Sequence, residues 1–268
     1  MNQTIITDIT QGLTTAFIDH TISSNLAYRP QFVSNNYKEG RKVISSIEDE
    51  LLSCEQFAIS VAFITMSGIT PLLQTLKELE KRGIPGRILT TDYLTFSDPK
   101  ALRKLEEFSN LHVKMYVTDQ TEEGFHTKGY IFKKEEMYRI IVGSSNMTLS
   151  ALTVNREWNT RIVSTEQGKY AQSVLAEFED LWNSSQAVEF EQFIDSYTEN
   201  YTRNKIIRKQ KELARQEQIP SLEAYRLQPN SMQTGFINNL QKIYDAGEDK
   251  ALLISATGTG KTYACLLY

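Results

Sequence analysis

Bulk positive charge is missing from this 268-residue chain, whose 33 acidic residues outnumber its 29 basic ones for a formal charge of −4. Any hold on nucleic acid must therefore come from a local patch. Cysteine is scarce: Cys54 and Cys265 are the two present, far apart, which suits a reducing cytosol. No apolar run approaches the ~18 residues of a membrane span. Met1-Asn2-Gln3 lacks the basic start and long apolar run of a secretory leader. Internal repeats and low-complexity tracts are also absent. These gaps leave a cytoplasmic protein away from membranes, with room for one sizeable core and a smaller appendage.

What is present is alternation. From about residue 41 to 184, strand-like and helix-like stretches take turns. Phe57 to Ile64 is a near-continuous apolar strand, Ile69 to Lys81 carries Leu72, Leu73, Leu76 and Leu79 at helical spacing, and Gly83 ends it. Arg87 to Thr91 is the next strand, Asp98-Pro99 caps and opens a helix, and Val113 to Val117 follows. Strands at 138–142 and 160–163 and a helix from Lys169 to Trp182 close the unit. The pattern predicts an α/β layered domain with helices on both faces of its sheet.

Within that unit, His126-Thr127-Lys128 is followed by Gly143-Ser144-Ser145-Asn146 and then Glu157. Alternate strand residues share a face, so His126 and Lys128 project together. A histidine can attack phosphorus while a neighbouring ammonium holds the non-bridging oxygens. Ser144 and Asn146 would add hydroxyl and amide donors, and Glu157 would orient His126 through its far ring nitrogen. No metal is needed for such chemistry. Each piece also has a plain structural reading: a solvated strand face, a turn with Asn146 as helix cap, a strand-edge carboxylate.

The order His-x-Lys, Gly-Ser-x-Asn, Glu resembles the active-site motif of the phospholipase D superfamily, particularly its nuclease branch. The resemblance implies a phospholipase D-like layered sheet and a phosphohistidine intermediate. The aspartate often found five residues after the lysine is Lys133 here. The family reaction uses two histidines and one motif is present, so the resemblance implies a homodimer pairing two copies. His20 and His112 read as surface or structural residues.

A second motif closes the chain. Ala251 to Ile254 reads as a buried parallel strand leading into Ser255-Ala256-Thr257-Gly258-Thr259-Gly260-Lys261-Thr262. Backbone amides of such a loop cradle phosphates, with Lys261 on the β and γ groups and Thr262 on magnesium. The sequence resembles motif I of superfamily 2 helicases, whose adenine-reading glutamine would be Gln233, ahead of an amphipathic stretch holding Phe236, Ile237, Leu240, Ile243 and Tyr244. The acidic magnesium motif and the arginine fingers of a two-lobed motor are not in this sequence, so it reads as the N-terminal part of a longer protein, with ATP and magnesium as cofactors of the full-length motor alone.

Three domains are thus expected: a phospholipase D-like nuclease over 1–184, a helical basic connector over 185–222, and the first elements of a RecA-like ATPase over 223–268. The connector's basic run from Arg203 to Lys211 reads as a solvated helix face or a phosphate contact. Tyr93 and Phe96 offer stacking faces or packing. The expected function is a DNA nuclease fused to a helicase, in restriction, defence or repair. The alternative is a catalytically silent module that dimerises or grips DNA.

Overall fold

The structure is a computed structural model and describes residues 3–118, 124–218 and 231–252. An N-terminal helix, α1 (Gln3–Leu13), leads to a short strand β1 (Gln31–Val33), helix α2 (Val43–Ser53) and strand β2 (Gln56–Val61). Then come α3 (Met66–Ile69), α4 (Leu73–Lys81), β3 (Gly86–Thr91), α5 (Pro99–Glu106) and β4 (Leu111–Tyr116). The hairpin β5 (Lys128–Lys134) and β6 (Met137–Gly143) is followed by α6 (Leu149–Thr153), β7 (Asn159–Thr165), α7 (Lys169–Trp182) and β8 (Ala187–Glu189). The long helix α8 (Phe190–Gln218) and α9 (Ser231–Asp245) complete the described residues.

The strands form one mixed sheet in the order β1-β7-β6-β5-β2-β3-β4-β8. β2, β3 and β4 run parallel, and every other neighbouring pair is antiparallel. Central position explains the apolar continuity of β2, since both of its faces are covered. Phe57, Ile59, Tyr130 and Phe132 point to the face carrying α2, α4, α5 and the first turns of α8. Ala58, Ile131 and Ile140 meet Phe178 and Trp182 of α7 on the other. Helices therefore lie on both faces, but unequally. Towards one end of the sheet the α7 face stays partly open along a cross-strand row of Val142, Thr160 and Phe32.

Glu50 fastens α2 to the sheet. Its buried carboxylate accepts from Arg161 at 2.7 Å and from Arg139 at 3.5 Å, on β7 and β6.

Two local expectations shift. The helix expected over Ile69 to Lys81 is broken, because Pro71 has no amide to donate and a 3-10 turn at Thr70–Leu72 separates α3 from α4. Gly83, at φ 66°, closes α4 in the left-handed conformation as expected. The first compact unit runs Met1–Ile207, past the expected limit at 184, because β8 pairs with β4 and Phe193, Ile194 and Tyr197 of α8 enter the core. The connector is thus helical, with its first turns built into the sheet domain.

The second unit, Arg208–Tyr268, contains α9, the expected amphipathic helix, with Gln233 buried near its start. The strand expected from Ala251 is not seen at its described residues: Ala251 and Leu252 lie outside any strand and are exposed. A lone strand leaves its amides and carbonyls unpaired. Gly258, Thr259, Gly260, Lys261, Thr262 and Cys265 lie outside the described residues, so the RecA-like reading remains an expectation.

Candidate functional site

Strand directions bring the motif residues to one end of the sheet. β2, β3 and β4 finish there, β5 starts there, β6 ends and β7 begins beside it. In α/β sheets this carboxyl end of the parallel strands is where ligands gather. The loops after β2, β3 and β6 meet at it, with Ile64 bridging to Met147 and the Thr65 amide donating to the Met147 carbonyl at 3.0 Å.

His126 is positioned by backbone pairing that runs past the formal start of β5. The Ala62 amide donates to the Thr127 carbonyl at 3.1 Å, and the Thr127 and Ser60 hydroxyls are bonded at 2.6 Å. His126 is the first residue beyond this anchor, and its side chain is exposed. Lys128 Nζ lies 2.8 Å from His126 Nδ1 and 2.8 Å from the His126 carbonyl oxygen. Phe63 stands edge-on to the imidazole with centroids 6.0 Å apart, and Phe96 packs edge-on against Phe63 at 5.1 Å. Desolvation, then the Lys128 charge, lower the His126 pKa from its ordinary value. Desolvation also lowers that of Lys128, opposed by Glu157. The imidazole is therefore mostly neutral near pH 7, the form in which it is a nucleophile.

The turn after β6 is held from beneath. Ser145 is fully buried: its amide donates to Asn159 Oδ1 at 3.3 Å, its hydroxyl accepts from Asn159 Nδ2 at 2.9 Å, and its carbonyl accepts from the Tyr130 hydroxyl at 3.0 Å. Asn159 Nδ2 also donates to the Val33 carbonyl, tying in β1. With Ser145 fixed inward, Ser144 faces solvent. Asn146 Oδ1 accepts from the Phe63 amide at 3.1 Å, which leaves its NH₂ as the donor for a ligand. The cap of α6 is Thr148, which accepts from the Ala151 amide, rather than Asn146.

Gly143 is sterically required, since a Cβ there would run into the Trp158 carbonyl and Asn159. Gly143→Ala is expected to push β6 from β7 and tip Ser144 and Asn146 out of place. Such overpacking costs about 1–3 kcal/mol, which a thermal melt of the purified variant checks.

Glu157 does not meet the expected partner. Its carboxylate accepts from the Ser144 hydroxyl, while Lys128 engages His126 at Nδ1. Register explains this. Glu157 precedes β7, two strands from β5, roughly 10 Å away along the hydrogen-bonding direction, and Asn159 pairs with Gly143. Ser144 is what lies within reach. Glu157 still acts on Lys128 through its charge.

Of the remaining residues singled out, Tyr93 and Phe96 are part-exposed on a turn where Leu94 (φ 55°) and Thr95 (φ 47°) adopt left-handed backbone, a strained conformation for such side chains. The strain is balanced from α8, where Asn204 donates to Thr95 Oγ1 and the Tyr197 hydroxyl to the Ser97 carbonyl. The α8 residues Arg203 to Lys211 are mostly exposed. His112 lies at the start of β4, away from the site, and His20 in a turn after α1. Cys54 is buried and its thiol pushed up to about 11, mainly by desolvation. Among the described residues no three His, Cys, Asp or Glu side chains come together as metal ligands would, and no helix is long and apolar enough to cross a membrane.

Lys133 sits at the far end of β5, paired with Glu166 at 2.9 Å. Five residues of strand separate it from Lys128, roughly 17 Å. Lys133→Ala is expected to cost less than about 1 kcal/mol, as befits a largely solvent-accessible pair, which a thermal melt checks.

Motif spacing did not reveal Tyr130, Asn159, Ser60 and Phe63, which position the site. Asn159 carried the one readable signal, an asparagine in a strand, where that residue is depleted.

A sequence model of the family described as "Cardiolipin synthase, PLD-like domain" matches residues 49–182, half of the chain. The chain belongs to the phospholipase D-like family. The matched stretch holds every motif residue from His126 to Glu157 and lies within the first compact unit. No curated protein matches the chain. Among solved structures, this phospholipase D-like chain is similar to Nuc of Salmonella typhimurium, a phospholipase D family member, at 19% identity, covering 60% of this chain and 99% of that one with a TM-score of 0.47. NucT from Helicobacter pylori is 15% identical over 60% of this chain and 99% of its own, with a TM-score of 0.48. Phosphatidylserine synthase of Haemophilus influenzae is 15% identical over 69% of this chain and 46% of its own, with a TM-score of 0.46.

Proposed function

We propose that this phospholipase D-like domain is a metal-independent phosphodiesterase that cleaves DNA through a phosphohistidine on His126. One observation carries the reading: the exposed imidazole of His126 stands 2.8 Å from the Lys128 amine, with the donors of Ser144 and Asn146 on the neighbouring turn. An arriving phosphodiester gives Lys128 an anionic partner in place of the ring nitrogen, which frees the imidazole. The ring then forms a P–N bond as the P–O bond to the leaving oxygen breaks. That oxygen takes its proton from His126 of a second copy, which acts as the imidazolium that the bound phosphate anion favours and, once neutral, takes a proton from the attacking water; each copy brings a single histidine to the site, so the working form is a homodimer. Water cleaves the P–N bond in the second step. Lys128, Ser144 and Asn146 hold the phosphate, and Glu157 acts through Ser144 and its field on Lys128.

In this reading the domain is the cutting part of a longer ATP-dependent superfamily 2 helicase. Gln233 would read adenine, Gly258, Thr259, Gly260 and Lys261 would hold the phosphates, and Thr262 the magnesium. The second reading, a silent DNA-binding or dimerisation module, draws on the single histidine per copy. Incubation with single- and double-stranded DNA in excess EDTA separates the two. Cutting is expected. Binding by a dimer without cutting would support the silent module.

A further inference from the structure

The proposed phosphodiester site continues into an aromatic and basic surface that the catalytic reading does not use. We propose that this surface binds an unpaired nucleic-acid strand, making single-stranded DNA or an unpaired end the preferred substrate. The inference rests on the phosphodiesterase reading and adds the form of the substrate and its path.

Trp158 is 73% exposed and Phe32 60% exposed, and their rings meet edge to face with centroids 5.8 Å apart. Two large aromatics left open to water in contact with each other mark a binding surface. Trp158 belongs to the site's own framework: its amide donates to Ser144 Oγ at 3.1 Å, the hydroxyl that is bonded to Glu157. The rings therefore begin where the phosphate donors end.

Phe32 also lines a cavity of about 730 Å³ on the side away from His126, within the size range of small-ligand sites. Arg29, Arg41 and Lys42 contribute to its wall, together with Gln31 and one carboxylate, Asp49. Arg29 is steadied by donating its Nε–H to the Ser24 hydroxyl at 2.8 Å, and Arg41 pairs with the surface residue Glu39 at 3.1 Å. Three cations against one lining carboxylate stand out in a chain with a formal charge of −4.

Phosphate donors and aromatic faces lie on the α7 side, and the cations follow round the β1 edge towards α2, which matches a nucleic-acid strand with bases turned onto the rings and phosphates onto the cations. From β5 across β6 and β7 to β1 is three strand spacings, roughly 14 Å, a reach of a few nucleotides. Rings stack on a base only when its face is free, and in a duplex those faces are covered by neighbouring bases. Cations holding phosphates read no sequence, so the preference is for strandedness alone. A second copy of the chain seated on the rings is the competing occupant. A copy of this chain would bring 29 basic residues along with its 33 acidic ones, whereas a strand supplies an anion at every phosphate.

The test uses the full 268-residue chain with His126→Ala to prevent turnover, and a short fluorescent oligothymidylate against a hairpin duplex. The chain has two tryptophans, Trp158 and Trp182, and Trp182 is buried, so quenching on binding reports Trp158. The single strand is expected to quench this emission and to bind at least tenfold more tightly than the duplex. Trp158→Ala with Phe32→Ala should weaken single-strand binding about 5- to 100-fold. Arg29→Gln with Arg41→Gln and Lys42→Gln should flatten its salt dependence by about two to three phosphates' worth of slope. Trp158, Phe32, Arg41 and Lys42 are exposed and Arg29 is half-buried, so a melt confirms folding. Equal affinity for duplex, absence of quenching, or unchanged binding by the aromatic variant overturns the proposal. So does conversion of a dimer to a monomer by Trp158→Ala with strand binding intact, which makes the rings a protein interface. Metal-free cutting that persists in the aromatic variant at unchanged KM removes this inference and leaves the phosphodiesterase reading standing. Strand binding without any wild-type cutting does the reverse.

Discussion

His126→Ala is expected to reduce metal-free phosphodiester cleavage by on the order of 10⁴-fold or more, because removal of a covalent nucleophile leaves binding and electrostatics alone to act. Lys128→Ala should be milder, roughly 10²- to 10³-fold, the usual cost of losing one donor to a developing oxyanion. The two are not expected to add, since the ammonium works only on the phosphate that the imidazole attacks. The pH profile carries the same signature. Desolvation and the Lys128 charge hold the His126 pKa below the ordinary 6.5, so the neutral, nucleophilic form persists as pH falls through that value. The acid limb of the rate of P–N bond formation should lie below pH 6.5 and move upward in Lys128→Met, which removes the neighbouring charge. At the alkaline end, the rate should fall first as the second copy's His126 loses the proton that it must donate, well before Lys128, whose pKa desolvation lowers from its ordinary 10.5, gives up its charge. Single-turnover rates across the range, read by gel, check both limbs.

The largest expected loss of stability comes from Glu50, which stands outside the site. Its carboxylate is 2% exposed and serves two guanidiniums, Arg139 and Arg161, themselves 17% and 12% exposed. Glu50→Ala would leave two part-buried cations side by side without a counter-charge. Breaking a buried pair in this way costs about 3–5 kcal/mol, which for a domain of this size lowers Tm by roughly 10 °C. Glu50→Gln keeps the shape and one acceptor, and should cost less. The loss should be recovered in part when Arg139→Met is added, because that removes one of the stranded charges. Thermal melts of the three variants decide this. A Glu50→Ala protein melting within a degree or two of wild type would show that the two arginines find water instead.

How much was readable beforehand follows from which information is local. Alternation of the apolar runs, the Asp98-Pro99 helix start, Gly83 and the helix from Lys169 to Trp182 are written in neighbouring residues. His126 and Lys128 were legible for the same reason, as a short strand-borne pattern. Register is not local. Nothing within the Glu157 segment says that Asn159 pairs with Gly143 and so delivers the carboxylate to Ser144. The three residues of β1 and the three of β8 are too short for periodicity, yet they take the two edges of the sheet. The buried triad of Tyr130, Ser145 and Asn159 draws on two strands, β5 and β7, and the turn after β6, brought together by the fold with no spacing to mark it. Pro71 was visible in the sequence, but the strong leucine spacing around it masked the break.

The central claim is that the imidazole of His126 becomes covalently attached to phosphorus. Its most direct measurement is mass spectrometry of wild-type protein quenched in alkali during turnover of an oligonucleotide, since a P–N bond survives base and is lost in acid. The account predicts a nucleotide phosphate adduct on the peptide holding His126, absent from His126→Ala and discharged by acid. Rapid cleavage with no adduct on that peptide at any quench time, or cleavage that persists in His126→Ala, would contradict it.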